Sequence, residues 1–142
     1  MVSTKDDYQY IFDQVPSLSN GITFCTGSLG VRADNDLSAI FDAFADRVHF
    51  LHLRSTKRDA QGNFFEADHL IGDVDMFEII TREIKEQRRR VIEKREDASI
   101  PMRPDHGHTI LHDQFNSVIP GYSLLGRMKG LDQLKGVIKA IN

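Results

Sequence analysis

No apolar run in these 142 residues approaches the roughly 20 needed to span a bilayer, and the opening Met1-Val2-Ser3-Thr4-Lys5-Asp6-Asp7 has no apolar signal-peptide core. A cytoplasmic protein with no membrane partner is expected. Basic charge is also scarce: 18 Lys and Arg face 21 Asp and Glu, giving a net charge of -3. Such a chain sets up no field to draw in phosphate backbones, so no nucleic-acid partner is expected. With one cysteine no intramolecular disulfide can form, which leaves Cys25 as a buried thiol, a nucleophile or a metal ligand. What is present, 40% apolar and 27% charged residues, is the composition of a globular domain and excludes disorder and collagen-like repeats.

The apolar periodicity alternates between helix and strand. Tyr8, Ile11, Phe12 and Val15 mark one helix face, with Ser3 or Thr4 placed to cap it and Pro16 to end it. Ile22-Thr23-Phe24-Cys25-Thr26, closed by Gly27, reads as a buried strand. Leu37, Ile40, Phe41 and Phe44 follow an acidic start and predict a second helix, and Val48 to Leu53 predict a second strand. From Arg54 to Asp73 no periodicity appears. A loop of about twenty residues in a compact domain is usually functional or disordered; here Asp59 to Asn63 suggest a turn. Met76, Ile80, Ile84 and Val91 predict a longer helix whose run Lys85-Glu86-Gln87-Arg88-Arg89-Arg90 reads as a solvated face. A third strand is expected at Ser99-Ile100-Pro101-Met102, then the loop 103–108, then a closing helix through Leu124, Met128, Leu131 and Ile138 interrupted by Gly126, Gly130 and Gly136.

This helix–strand alternation is the signature of βαβ units with parallel strands. Three strands cannot close a barrel, and a parallel sheet needs cover on both faces. The pattern therefore predicts an arc of a larger α/β structure: residues 1–142 as a single incomplete domain.

Polar residues recur at equivalent places. Cys25 ends the first strand, His52 ends the second and Asp105 follows the third, the positions from which parallel barrels build their sites. Strand parity puts Thr23 with Cys25 and Phe50 with His52 and Arg54; Arg103 and Asp105 also share parity. Sulfur, nitrogen and oxygen donors together suit a borderline divalent ion such as Mn²⁺, Fe²⁺ or Zn²⁺ rather than Mg²⁺ or Ca²⁺. Each residue also has a plainer reading. A lone strand cysteine is more often a small core residue, His52 could equally pack, and Asp105-His106-Gly107-His108 could be a capped loop.

The blocks Thr23-Phe24-Cys25-Thr26-Gly27-Ser28-Leu29-Gly30, His49-Phe50-Leu51-His52-Leu53-Arg54, Glu66-Ala67-Asp68-His69, Met102-Arg103-Pro104-Asp105-His106-Gly107-His108 and Pro120-Gly121-Tyr122-Ser123-Leu124 occur in the order found in mannonate dehydratases of hexuronate degradation, which the chain resembles over nearly its whole length. The resemblance implies the C-terminal portion, about three βα units and a preceding helix, of a TIM (β/α)₈ barrel of the xylose-isomerase-like type. It implies a metal-dependent hydro-lyase converting D-mannonate to 2-dehydro-3-deoxy-D-gluconate and water with Mn²⁺ or Fe²⁺. The family's His, Cys, His, Asp ligand set has counterparts in Cys25, His52 and Asp105; no histidine precedes Cys25 to supply the first ligand.

On that basis His106, adjoining Asp105, is the first choice for acid–base work, and Tyr122 resembles the family's second such residue. Arg54 and Arg103 are natural partners for the substrate carboxylate or for neighbouring acids in a structural salt bridge, since a guanidinium binds carboxylate through a bidentate fork. Glu66 and His69 are expected to line the outer shell or contact sugar hydroxyls, and His49, of opposite parity to His52, to pack or lie at the surface. The chain alone is expected to have little activity, with a complementary N-terminal barrel fragment or a homo-oligomer as its partner. A non-enzymatic remnant and a metal-dependent sugar isomerase of the same barrel class are the alternatives.

Overall fold

The computed structural model describes residues 1–141. Helix α1, Lys5–Gln14, begins at a capping box in which the Thr4 hydroxyl accepts the Asp7 amide and the Asp7 carboxylate accepts the Thr4 amide. Strand β1, Ile22–Cys25, runs directly into the short helix α2, Thr26–Gly30. Helix α3, Leu37–Phe44, is capped by the Asp36 carboxylate, and a 3₁₀ turn at Ala45–Arg47 leads to β2, Val48–His52. Next come β3, Thr56–Arg58, β4, Phe64–Glu66, and the long helix α4, Met76–Ile92, capped by Asp75. The two-residue strand β5, Met102–Arg103, a 3₁₀ segment at Leu111–Phe115 and helix α5, Leu124–Ile141, complete the chain.

Strands β1, β2 and β5 form a parallel sheet in that order. Its two faces differ. Ile22, Phe24, Val48 and Leu51 are buried with Phe41 and Phe44 of α3 and Met76, Ile79 and Ile80 of α4 in one apolar core, which Phe12 of α1 joins by stacking edge-on to Phe44. On the other face Thr23 is exposed, and Cys25, Phe50 and His52 are only half-buried. Over Phe24–Cys25 and Leu51–His52 the period-two alternation therefore puts an apolar side chain under the helices and a donor side chain on the open face.

Four expectations are corrected. The stretch 54–73 is not structureless: β3 and β4 pair antiparallel around the turn that the Asp59 carboxylate holds by accepting the Gln61 and Asn63 amides. The third strand lies at Met102–Arg103 rather than 99–102, because Pro101 has no amide to offer a ladder. Helix α5 runs unbroken through its glycines. Two of them are sites of close approach: a Cβ on Gly126 would lie 2.1 Å from the His108 carbonyl oxygen, and one on Gly130 2.3 Å from the His69 ring.

The basic run of α4 is not a uniformly solvated face. Arg90 is fully buried, its guanidinium donating to the Glu86 carboxylate at 2.7 Å and to the Ala45, Val48 and Asp97 carbonyls at 2.6, 2.9 and 3.0 Å. It ties α4 to the turn entering β2. Glu83 is buried on the same helix, and burial pushes its carboxyl up to about 7, with the Arg90 charge opposing. An acid whose folded pKa is raised contributes stability that is full below its unfolded value of 4.5 and is lost as pH rises through about 7. Urea unfolding between pH 4 and 8 is accordingly expected to show a decline in stability that Glu83→Gln flattens; identical profiles for the two proteins would contradict this.

Candidate metal centre

The register of the sheet creates the site. Cys25 of β1 is paired with His52 of β2, and His52 is paired with Arg103 of β5, so the three residues stand side by side at the strand C-termini with Asp105 two residues beyond. One donor atom from each of Cys25, His52 and Asp105 lies within 4.8 Å of the others. Ligand bonds of about 2.0–2.3 Å put donors on opposite sides of an ion ~4–4.6 Å apart, so a single divalent ion can bridge this set with sub-ångström adjustment.

Each donor is held by local structure. Cys25 caps α2, its Sγ accepting the Ser28 amide at 3.4 Å and the Ser28 hydroxyl at 3.1 Å. The buried Thr26 hydroxyl donates to the Arg54 carbonyl at 2.6 Å, with the His52 carbonyl at 3.1 Å, and accepts the Arg54 amide at 2.9 Å. That latch ties the end of β1 to the end of β2. The sequence marks Thr26 and Ser28 only as members of the Thr23–Gly30 block and not as supports of the donors, because their roles depend on the chain turning helical immediately after Cys25. Asp105 has a left-handed backbone, φ 65°, and is 8% exposed. Its Oδ2 lies 3.8 Å from His52 Nδ1, and its Oδ1 accepts from Arg103 at 3.0 Å. Burial holds the His52 imidazole below its ordinary 6.5, reinforced by Arg103 and His106 and opposed by Asp105. The neutral ring it favours is the form that donates a lone pair to a metal.

The remaining residues fall around this cluster. His106 Nδ1 is 3.2 Å from Asp105 Oδ2 but is not in hydrogen-bond geometry with it, and the nitrogen is buried without a hydrogen-bond partner among the described residues. The His106 ring lies 4.9 Å from that of Tyr122, which is 44% exposed, and the Gly107 amide donates to the Gly121 carbonyl at 2.9 Å, fastening the two loops together. Arg54 and Glu66 are committed to each other, Arg54 Nε donating at 3.0 Å and its terminal nitrogen engaging the second carboxylate oxygen. That pair anchors β4 to the end of β2, and the Glu66 bond chiefly raises the already high Arg54 pKa. Arg103 by contrast keeps about half its side chain exposed. His69 does not stand in the open site: it is 4% exposed, and its Nε2–H donates to the Pro104 carbonyl at 2.6 Å. His49 Nε2 bonds the Leu18 carbonyl at 2.8 Å, in keeping with its opposite parity.

The family model for D-mannonate dehydratase (UxuA) matches residues 1–142. The chain belongs to this family. It is 50% identical over 143 residues to the mannonate dehydratase of Saccharophagus degradans, covering 99% of this chain and 36% of that protein. It is 49% identical to mannonate dehydratase 1 of Agrobacterium fabrum and 51% identical to the Brucella canis protein, each match covering the whole of this chain. The crystal structure of mannonate dehydratase from Streptococcus suis serotype 2 superposes with a TM-score of 0.83 at 27% identity, covering 99% of this chain and 38% of that one. The α/β fold is thus that of a mannonate dehydratase, and the chain spans about a third of the length of the curated relatives it matches.

Proposed function

We propose that this chain carries the metal-binding and acid–base portion of a mannonate dehydratase site, serving conversion of D-mannonate to 2-dehydro-3-deoxy-D-gluconate and water. The observation that carries the reading is the convergence of Cys25, His52 and Asp105 donors within 4.8 Å at the ends of adjacent parallel strands. Its supports are family membership and the open inner face of the sheet, which fits one incomplete domain forming an arc of a (β/α)₈ barrel of the xylose-isomerase-like type. A complementary barrel segment or a further copy of the chain would cover that face. One thiolate, one imidazole and one carboxylate favour Mn²⁺ or Fe²⁺ over Mg²⁺, and such an ion supplies Lewis-acid stabilisation of negative charge on the substrate oxygens.

Dehydration removes the C2 proton and expels the C3 hydroxyl, which needs a proton to leave as water; the resulting enol tautomerises to the 2-keto acid. His106 and Tyr122, packed against each other beside Asp105, are the groups that exchange these two protons. Arg103, with Asp105, Tyr122 and Arg127, lines a cavity of about 300 Å³, and its exposed guanidinium is the group placed to receive the substrate carboxylate. Arg54 and Glu66, paired as they are, frame the sugar hydroxyls from the β2 side.

The test is calorimetric titration of D-mannonate into the chain with and without Mn²⁺. Binding that requires the ion and is lost in Arg103→Met is expected; sugar-acid binding indifferent to the ion, or none at all, would overturn the substrate assignment. Turnover by the chain alone is expected to be near background, since three of the four ligands implied by the resemblance are present.

A further inference from the structure

We propose that His69 is a positioning residue that holds Asp105 in the backbone conformation required for ligation. The inference rests on the reading of Asp105 as a metal ligand, and it concerns the peptide immediately before that residue. Asp105 has φ 65°, in the left-handed region that L residues rarely adopt. Something must hold the chain there. The Pro104 carbonyl is fixed by His69 Nε2–H at 2.6 Å, and a carbonyl can only accept, so Nε2 carries the proton.

The His69 ring is itself clamped. It is 4% exposed and lies so close to α5 that a Cβ on Gly130 would come within 2.3 Å of it. The neighbouring Asp68 carboxylate accepts from Lys129 Nζ at 2.6 Å, so residues 68 and 69 are fastened to consecutive residues of α5. The chain of contacts runs from helix α5 through an imidazole to the peptide bond of Pro104 and Asp105. A side chain in the segment after β4 thereby fixes a donor in the loop after β5. Asp105 keeps its carboxylate for His52 and Arg103 because its backbone is restrained from the other side.

Three variants of the 142-residue chain separate this from mere packing. His69→Leu fills the space without the hydrogen bond, His69→Gln retains an N–H donor, and Gly130→Ala keeps the imidazole but displaces it. Two readouts are used: Co²⁺ affinity, followed by the thiolate-to-cobalt charge-transfer band from Cys25, and the ¹³Cα and ¹³Cβ shifts of Asp105 in the metal-free chain. His69→Leu and Gly130→Ala are expected to weaken Co²⁺ binding ~10–100-fold, as loss of outer-shell support does, and to move the Asp105 shifts away from left-handed values. His69→Gln should restore both. Unchanged affinity and unchanged shifts in either His69→Leu or Gly130→Ala would overturn the proposal, as would a Gln variant no better than Leu. If His69→Leu does not fold, Gly130→Ala reads the same displacement with the ring retained. A wild-type chain that binds no Co²⁺ would instead refute the metal-site reading, and the Asp105 shifts would still decide the role of His69.

Discussion

Replacing any one of Cys25, His52 and Asp105 is expected to reduce divalent metal from about one ion per chain to a small fraction of that, with affinity falling by more than ~100-fold. The estimate follows from outer-shell losses alone costing about 10–100-fold, a bound that removal of a donor exceeds. Cys25→Ser exchanges a soft sulfur for a weakly acidic hydroxyl, and His52→Ala removes the only nitrogen of the three-residue donor cluster. Both side chains stand half-buried on the open face of the sheet, away from the apolar core, so these variants should fold. Asp105 needs a gentler change. Asp105→Asn keeps the size and tolerates the left-handed backbone while removing the charge, so it isolates ligation from conformation. Elemental analysis of Mn and Fe after dialysis checks the expectation; undiminished metal in all three variants would dismiss the cluster as a site.

Arg90→Ala should be the most damaging single change to stability outside the site, costing about 3–5 kcal/mol, the range for breaking a buried ion pair. Against a domain stability of roughly 5–15 kcal/mol that approaches loss of the fold. The guanidinium donates to three backbone carbonyls from two different segments and to the Glu86 and Asp97 carboxylates; without it the Val48 and Asp97 carbonyls each lose a donor, while the Ala45 carbonyl keeps the Val48 amide. Arg90→Lys should recover little, because one ammonium cannot reach the spread of acceptors that a planar fork covers. Glu86 keeps a partner in Arg89, so the damage comes mainly from the carbonyls. Thermal unfolding by circular dichroism is the measurement. A shift within ~0.5 kcal/mol would mean that Arg90 belongs to a solvated face after all.

Much of the architecture was legible because it is written in local periodicity. Phe24 and Leu51 face the helices while Cys25 and His52 face away, which alternation alone requires of a strand, and Thr4 and Asp36 cap helices as short polar residues before apolar runs do. The hairpin of β3 and β4 was not legible: its strands are only three residues long, and Phe64 and Phe65 are both exposed, so no alternation marks them. Nor was the burial of Arg90. Along one helix it is one basic residue among several, and only the approach of the segment entering β2 and of Asp97 gives its guanidinium backbone acceptors.

The sequence by itself determined the βαβ order, the donor types at successive strand ends and, through five blocks of residues, the family. These depend on side-chain chemistry and on spacing along the chain, which sequence records directly. Only the tertiary structure decided that Cys25 stands beside His52 and His52 beside Arg103, that Arg54 spends its fork on Glu66, and that His69 lies under the Pro104 carbonyl rather than in the open site. Those are contacts between residues far apart in the chain, set by strand register and by how closely α5 approaches at Gly130. No local pattern encodes them, because they come into being only when separate elements pack together.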